Sequence, residues 1–156
     1  MKINKVVIEN FLSIENTELD FDSYDGLVHI IGQNQDTNPQ SSNGAGKSSL
    51  IEAVVFALFG RTIRKTSEKS LGNAFTKGRC KVTLYVNDNV TITRTKKPPS
   101  LIVEVDGKSV TKEGVSHTQA YLEEILNINY NVFLASIVFG QQNDMNFLSC
   151  TAEEKR

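Results

Sequence analysis

Residues 42–49 of the chain read SNGAGKSS, and residues 50–60 continue directly as LIEAVVFALFG. Glycines allow the backbone to curl so that successive N–H groups point at one anion. The apolar run behind them predicts a helix over residues 46–59 that ends at Gly60. The positive N-terminal end of such a helix attracts phosphate. The stretch therefore predicts a phosphate-binding loop that opens a helix.

Two side chains of this loop have an expected task. Lys47 would reach the β- and γ-phosphates of a nucleotide, and Ser48 would offer its hydroxyl to Mg²⁺. Such loops usually carry their first glycine five residues before the second, and this chain has Ser41 there. The structural alternative is a Gly/Ser linker that contains Gly-Lys-Ser by chance.

A glycine, Gly32, does follow the preceding apolar run, residues 27–31 (LVHII). We interpret this run as a buried strand. The polar residues 33–41 between Gly32 and the loop are interpreted as an insertion that lengthens the turn from strand to loop. Strand, loop and helix then occur in the order that a P-loop requires.

The composition is that of an ordinary soluble globular domain. The 156 residues are 39% hydrophobic and 22% charged, with a net charge of −1 that gives no general argument for nucleic-acid binding. Cys80 and Cys150 lack metal-ligand spacing, so we expect reduced, structural thiols. No signal peptide and no membrane-spanning apolar segment is recognisable, so we expect a cytoplasmic protein without membrane contact.

Alternating apolar residues elsewhere predict short antiparallel strands. Residues 2–11 and 14–21 form one expected pair, and residues 79–86 and 90–95 form a second across the turn Asn87-Asp88-Asn89. The turn Asp106-Gly107 joins a third expected pair, residues 101–105 and 108–110. A helix is predicted over residues 114–126, and residues 130–139 fit either helix or strand. The predicted class is α/β, a P-loop core with an antiparallel β-subdomain packed against it.

The acidic residue that a nucleotide site needs for Mg²⁺ is hard to find. The best candidate is Glu104 after the apolar residues 101–103, but its alternation indicates a hairpin strand. Asp106 belongs to a turn. Gln141 follows an apolar segment, and its amide could bind Mg²⁺ or position the attacking water, although a solvent-facing loop glutamine is the alternative. The site is therefore expected to be incomplete.

Three separated motifs resemble one known family when taken in order. They are residues 8–14 (IENFLSI), residues 43–53 (NGAGKSSLIEA) and residues 130–141 (YNVFLASIVFGQ). They resemble the N-terminal Walker A half of the SbcC family, the SMC-like ATPase subunits of DNA double-strand-break nucleases, and most of all the large subunits of tailed-phage recombination endonucleases. Leu12 stands where that family has arginine, and Gln142 where a glycine often follows.

This resemblance implies an ABC-type ATPase head, of which residues 1–156 would be the N-terminal lobe. Walker A would lie near residues 42–49 and a Q-loop near residue 141. The lobe would end where the family's coiled coil begins. It implies ATP and Mg²⁺ as cofactors. Lys47 and Gln141 would be catalytic, and Ser48 and Gln141 would contact the metal. The phosphates would be held by Asn43, Gly44, Gly46, Lys47, Ser48 and Ser49.

The same resemblance implies the partners. These would be the C-terminal half of the same head, with the Walker B acids and the signature motif, a second head in a homodimer, an SbcD-type nuclease subunit and double-stranded DNA. ATP binding and hydrolysis would drive head dimerisation and gate DNA access to the nuclease. The location would be the cytoplasm, that of the host if the chain is phage-encoded.

Two other functions remain open at this point. One is the head of another SMC-like or RecF-like DNA-maintenance ATPase without a nuclease partner. The other is a monomeric P-loop kinase, which antiparallel hairpins after the P-loop helix disfavour. A local excess of positive charge could meet DNA phosphates or lie on a solvated surface: Arg61, Arg64, Lys65, Lys69, Lys77, Arg79, Arg94, Lys96 and Lys97.

Overall fold

The computed structural model describes residues 1–33, 45–64, 70–76 and 78–137. Its elements follow the chain in this order: β1 (Ile3–Phe11), β2 (Ile14–Asp20), a 3-10 turn (Phe21–Ser23), α1 (Lys47–Phe59), β3 (Lys81–Val86), β4 (Val90–Lys96), β5 (Pro99–Val105), β6 (Lys108–Ser109), α2 (Val115–Leu126) and α3 (Tyr130–Ser136).

The six strands form one sheet in the order β2-β1-β3-β4-β5-β6, and every neighbouring pair is antiparallel. Asn87 and Asp88 both have positive φ in the turn between β3 and β4, and Asp106 and Gly107 do so between β5 and β6. Such turns match the twist of the strands they join. The predicted hairpins and the predicted α/β class are confirmed.

Helix α1 packs against one face of this sheet and forms the centre of the core. Nearly all of its residues from Leu50 to Phe59 are buried, and the ring of Phe56 lies 5.3 Å from that of Phe11 on β1. The helix ends at Gly60, whose positive φ of 72° lets its N–H donate to the Phe56 carbonyl at 2.8 Å. The predicted P-loop helix is confirmed.

The apolar run at residues 27–31 is not the buried strand that its composition predicts. These residues pair with no strand among the described residues, and the side chains of Leu27 and Ile31 are 100% and 79% exposed. A strand needs a neighbour for its backbone hydrogen bonds and a layer to cover its side chains. The described part of the chain supplies neither, so the prediction of a buried strand was wrong for this chain by itself.

Helices α2 and α3 follow the sheet. Helix α2 packs against β5 and reaches the C-terminal end of α1 through Gln119, and α3 contacts Phe59 at the same end. The predicted helix over residues 114–126 is confirmed, and residues 130–136 prove helical rather than extended. Asn129 caps α3 by accepting the Val132 N–H at 2.9 Å, and the ring of Phe133 lies edge-on to Phe59 at 5.4 Å. None of the helices in the described ranges is long and apolar enough to cross a membrane.

Candidate functional site

The N-terminal end of α1 is built to face an anion. Gly46 precedes the helix in a left-handed conformation, with φ of 85°, and brings no side-chain oxygen to cap the first turn. The N–H groups of the next residues therefore point outward from the positive end of the helix dipole. Lys47, Ser48 and Ser49 are the first three helical residues, and Ser48 is exposed. The structure thus brings four of the predicted site residues together.

Gly32 lies against this helix start although it is 15 positions away from Lys47 in the sequence. A methyl group placed on Gly32 would lie 2.6 Å from the Ala45 Cβ and 3.0 Å from the Lys47 Nζ. Real β-carbons do not approach other atoms so closely, so only glycine fits here without a shift of its neighbours. This close approach fits the prediction that Gly32 serves as the first glycine of the loop, which itself stays a prediction.

The tip of the β1–β2 hairpin forms a second wall beside the helix start. The Ser13 Oγ lies 2.7 Å from the Ser49 Oγ, and a methyl group on Gly46 would lie 3.4 Å from the same Ser13 oxygen. The tip itself is held by the Leu12 N–H, which donates to the Leu71 carbonyl at 2.9 Å. Leu12, at the position of the family's arginine, brings no charge to this wall.

The opposite end of α1 is held by a buried cation. Arg94 on β4 is only 5% exposed, and its Nε donates to the Ala57 carbonyl at 3.0 Å and its Nη2 to the Leu58 carbonyl at 3.4 Å. Gln119 on α2 accepts a further bond from Arg94 and donates to the Leu58 carbonyl at 3.0 Å. Burial lowers the pKa of Arg94 to about 10, an effect that the carboxylate of Glu123 opposes.

Arg94 therefore does not belong to a basic surface. Its guanidinium satisfies carbonyls at the negative end of the helix that holds the phosphate loop at its other end. Of the other positive residues considered for DNA, Arg79 is exposed, whereas Lys65, Lys69 and Lys77 lie outside the described residues.

A second clamp joins α1 to the loop that follows it. The buried carboxylate of Glu52 accepts the Ile63 N–H at 2.7 Å and the Arg64 N–H at 3.3 Å. From the other side, the Tyr130 hydroxyl of α3 donates to the Thr62 carbonyl at 3.1 Å. Burial raises the pKa of Tyr130, so this phenol stays a hydrogen-bond donor. The basic loop at residues 61–64 is thus fixed between α1 and α3.

Other predicted site residues are not placed at the loop. Asn43, Gly44 and Gln141 lie outside the described residues, so their roles stay predictions. Glu104 pairs with Thr91 inside the sheet, and Asp106 sits in a hairpin turn near the N-terminal end of β1, away from the Ser13 tip. Neither acidic residue reaches the phosphate loop, and within the described ranges no cluster of three or more His, Cys, Asp or Glu residues could hold a metal.

Sequence reasoning missed three contacts of this site. The Ser13–Ser49 contact joins residues 36 positions apart, and no local pattern indicates it. Glu52 was visible as a lone carboxylate in an apolar helix, which signals a buried partner. Arg94 shares alternate positions of one strand with Val90 and Ile92, and this alternation is the sequence signal that would have assigned it to the buried face.

Comparisons with known proteins indicate the family of the chain. A family model described as an AAA domain matches residues 5–156. A DNA double-strand break repair Rad50 ATPase of Thermoplasma volcanium is 36% identical over 95% of this chain and 16% of its own length. Exonuclease subunit 2 of Enterobacteria phage T4 is 26% identical over 99% of this chain and 27% of its own. The chain thus spans about a sixth to a quarter of the length of these relatives.

Among solved structures, one of the recombination mediator protein RecF has a TM-score of 0.50 and 21% identity, covering 71% of this chain and 28% of that chain. At this identity the likeness supports the fold alone. The curated relatives confirm the resemblance to the SbcC-type N-terminal head lobe. The chain therefore belongs to the AAA domain family whose model it matches, with archaeal Rad50 ATPases and phage exonuclease subunits among its relatives.

Proposed function

We propose that the chain is the ATP-binding N-terminal lobe of an SMC-like ATPase head that acts in DNA double-strand-break repair or recombination. The observation that carries the proposal is the packing of Gly32 against Lys47 at the glycine-capped start of α1. This packing supports a phosphate loop that Gly32 and the start of α1 form together. The relatives named for DNA double-strand break repair and for an exonuclease subunit point to the process.

The residues at the start of α1 fit a nucleoside triphosphate. Lys47 would neutralise the β- and γ-phosphates, and the N–H groups of the first turn would donate hydrogen bonds to the phosphate oxygens. Gly46 carries no side chain at the start of the helix, and Ser49 lies in the first turn that follows. Asn43 and Gly44 are proposed to complete the loop. When bound, ATP supplies the phosphoryl group whose transfer to water would drive the head.

The same residues fit Mg²⁺ only in part. The exposed Ser48 hydroxyl is one oxygen ligand for Mg²⁺, and the Gln141 amide is proposed as another. Neither acidic candidate, Glu104 or Asp106, reaches the loop. Positioning and charge stabilisation supply most of the catalysis in phosphoryl transfer. Since no acidic side chain of the described residues reaches the start of α1, this lobe alone should bind ATP but hydrolyse it negligibly.

The exposed run at residues 27–31 indicates where a missing partner would join. These five residues, rich in β-branched and apolar side chains, have no neighbouring strand among the described residues. Ile51 on α1 is also 42% exposed. A strand from the C-terminal half of the same head would satisfy this backbone and cover these side chains. A second head, an SbcD-type nuclease subunit and double-stranded DNA are proposed as the further partners.

The proposal is tested by the hydrolysis of ATP by the purified 156-residue chain. We expect weak Mg²⁺-dependent binding of ATP and almost no release of phosphate, because the chain supplies one wall of the site. Vigorous hydrolysis by this chain alone would contradict the proposal of a half-site. The complete head, assembled with its C-terminal half, should hydrolyse ATP.

A further inference from the structure

The strongest feature not yet used is the contact between the hydroxyl groups of Ser13 and Ser49. Their oxygens lie 2.7 Å apart, a short and favourable distance for a bond between hydroxyls. Ser13 is the second residue of a two-residue turn, because Phe11 and Ile14 are the last paired residues of β1 and β2. The contact therefore links a tight hairpin tip to the third residue of α1.

The hairpin tip is fixed independently of this contact. Leu12 has a positive φ of 48°, an uncommon conformation for a residue with a branched side chain, and its N–H is bonded to Leu71. One residue earlier, Phe11 is fully buried and bridges to Gly72. Ser13 is thus presented to Ser49 by a tip that has little freedom to move.

The direction of the bond follows from what the hydroxyl groups can donate. Each hydroxyl has one proton to donate and two lone pairs to accept with, whereas a phosphate oxygen can only accept. If Ser49 donates its proton to a phosphate, it has none left for Ser13. Ser13 must then donate to Ser49, and the two bonds form a chain from Ser13 through Ser49 to the phosphate. Such chains strengthen each member because each bond polarises the next.

We propose that Ser13 is a positioning residue of the nucleotide site, whose hydroxyl orients the Ser49 proton toward the bound phosphates. The inference rests on the proposed function, since it assumes a polyphosphate at the start of α1. It assigns the polar contribution of this hairpin tip to Ser13, because Leu12 carries no charge. In the opposite arrangement Ser49 would donate to Ser13 and could not donate to the phosphate, so Ser13 would weaken binding.

The experiment is a double-mutant cycle on the full chain, with binding of Mg²⁺-ATP and of inorganic tripolyphosphate measured by calorimetry. Ser13→Ala should weaken both ligands by about three- to tenfold, the worth of one hydrogen bond. The same substitution should have almost no effect in a Ser49→Ala background, because the chain of bonds is already broken there. Ser13→Thr keeps the hydroxyl and should restore most of the affinity.

The matched control is Ser109→Ala, which removes a similar exposed hydroxyl contact, 3.2 Å to Thr111, on the opposite edge strand β6. It should leave the affinity unchanged, and thermal melts should show that every variant is folded. Tighter binding by Ser13→Ala would overturn the inference, as would an equal loss in the Ser49→Ala background or a loss confined to ATP. If the proposed function itself is wrong, Lys47→Met should leave the affinity for both ligands unchanged as well, which distinguishes that failure from a failure of the inference about Ser13.

Discussion

Replacing Arg94 by methionine should destabilise the chain through the buried end of α1. Methionine keeps a flexible apolar stem of similar length, so packing against the core is largely retained. The substitution removes the donor that the Ala57 carbonyl receives from Arg94 Nε. The Leu58 carbonyl keeps its bond from Gln119 and is therefore less affected.

The size of the effect follows from these contacts. One buried carbonyl left without a donor costs about 1–3 kcal/mol. Loss of a positive charge at a helix C-terminus costs about 0.3–1 kcal/mol more, and up to about 2 kcal/mol when buried. Part of this loss is offset because the substitution also removes the cost of burying a cation, a cost that is visible in the pKa of Arg94, which burial lowers. We expect a net loss of about 2–3 kcal/mol.

The assay is urea unfolding followed by circular dichroism, with thermal melts as a second readout. For a chain of this size the loss corresponds to a melting temperature about 4–12 °C lower. Arg94→Lys should recover roughly half, since one ammonium cannot reproduce the planar fork. The matched control is Arg79→Met, an exposed arginine whose loss should stay within about 0.5 kcal/mol. If Arg94→Met and Arg79→Met are equally stable, Arg94 does not hold the end of α1.

Two further substitutions test the clamp and the loop. Glu52→Ala should lower the free energy of unfolding, measured in urea, by about 2–4 kcal/mol, because two backbone N–H groups lose their buried acceptor. Glu52→Gln should lower it by about half as much. The control Glu15→Ala, at an exposed carboxylate, should leave it almost unchanged. Gly32→Ala should weaken ATP binding at least about tenfold in calorimetry, because its methyl group would displace Ala45 and Lys47. Gly72→Ala is its control, since a methyl group there meets no atom within 4 Å; equal affinities of the two glycine variants would contradict this account of the loop.

Local patterns predicted the parts of the fold that local chemistry decides. The helix over α1 follows from an unbroken apolar run between glycines, and the hairpins follow from alternation and turn residues such as Asp106-Gly107. Residues 27–31 show the limit of this reasoning. Their apolar composition suits a buried strand, but whether a strand is buried depends on a neighbour that its own residues do not specify.

The site was predicted where one continuous stretch carries it and missed where distant residues meet. Lys47 and Ser48 could be assigned tasks from a motif because spacing along the chain sets their geometry. The close approach of Gly32 to Lys47 and the contact between Ser13 and Ser49 depend on how distant segments of the chain meet the start of α1. Arg94 could have been assigned to the buried face by strand parity, but its partners on α1 and α2 could not.

The most direct test of the account is the affinity of the full chain for Mg²⁺-ATP with and without the Lys47 ammonium. Isothermal titration calorimetry should show weak binding to the natural chain and at least about tenfold weaker binding to Lys47→Met. Lys108→Met, which removes an exposed charge on β6, should bind like the natural chain. Equal affinities of the natural chain and Lys47→Met would contradict the claim that the start of α1 is a nucleotide site.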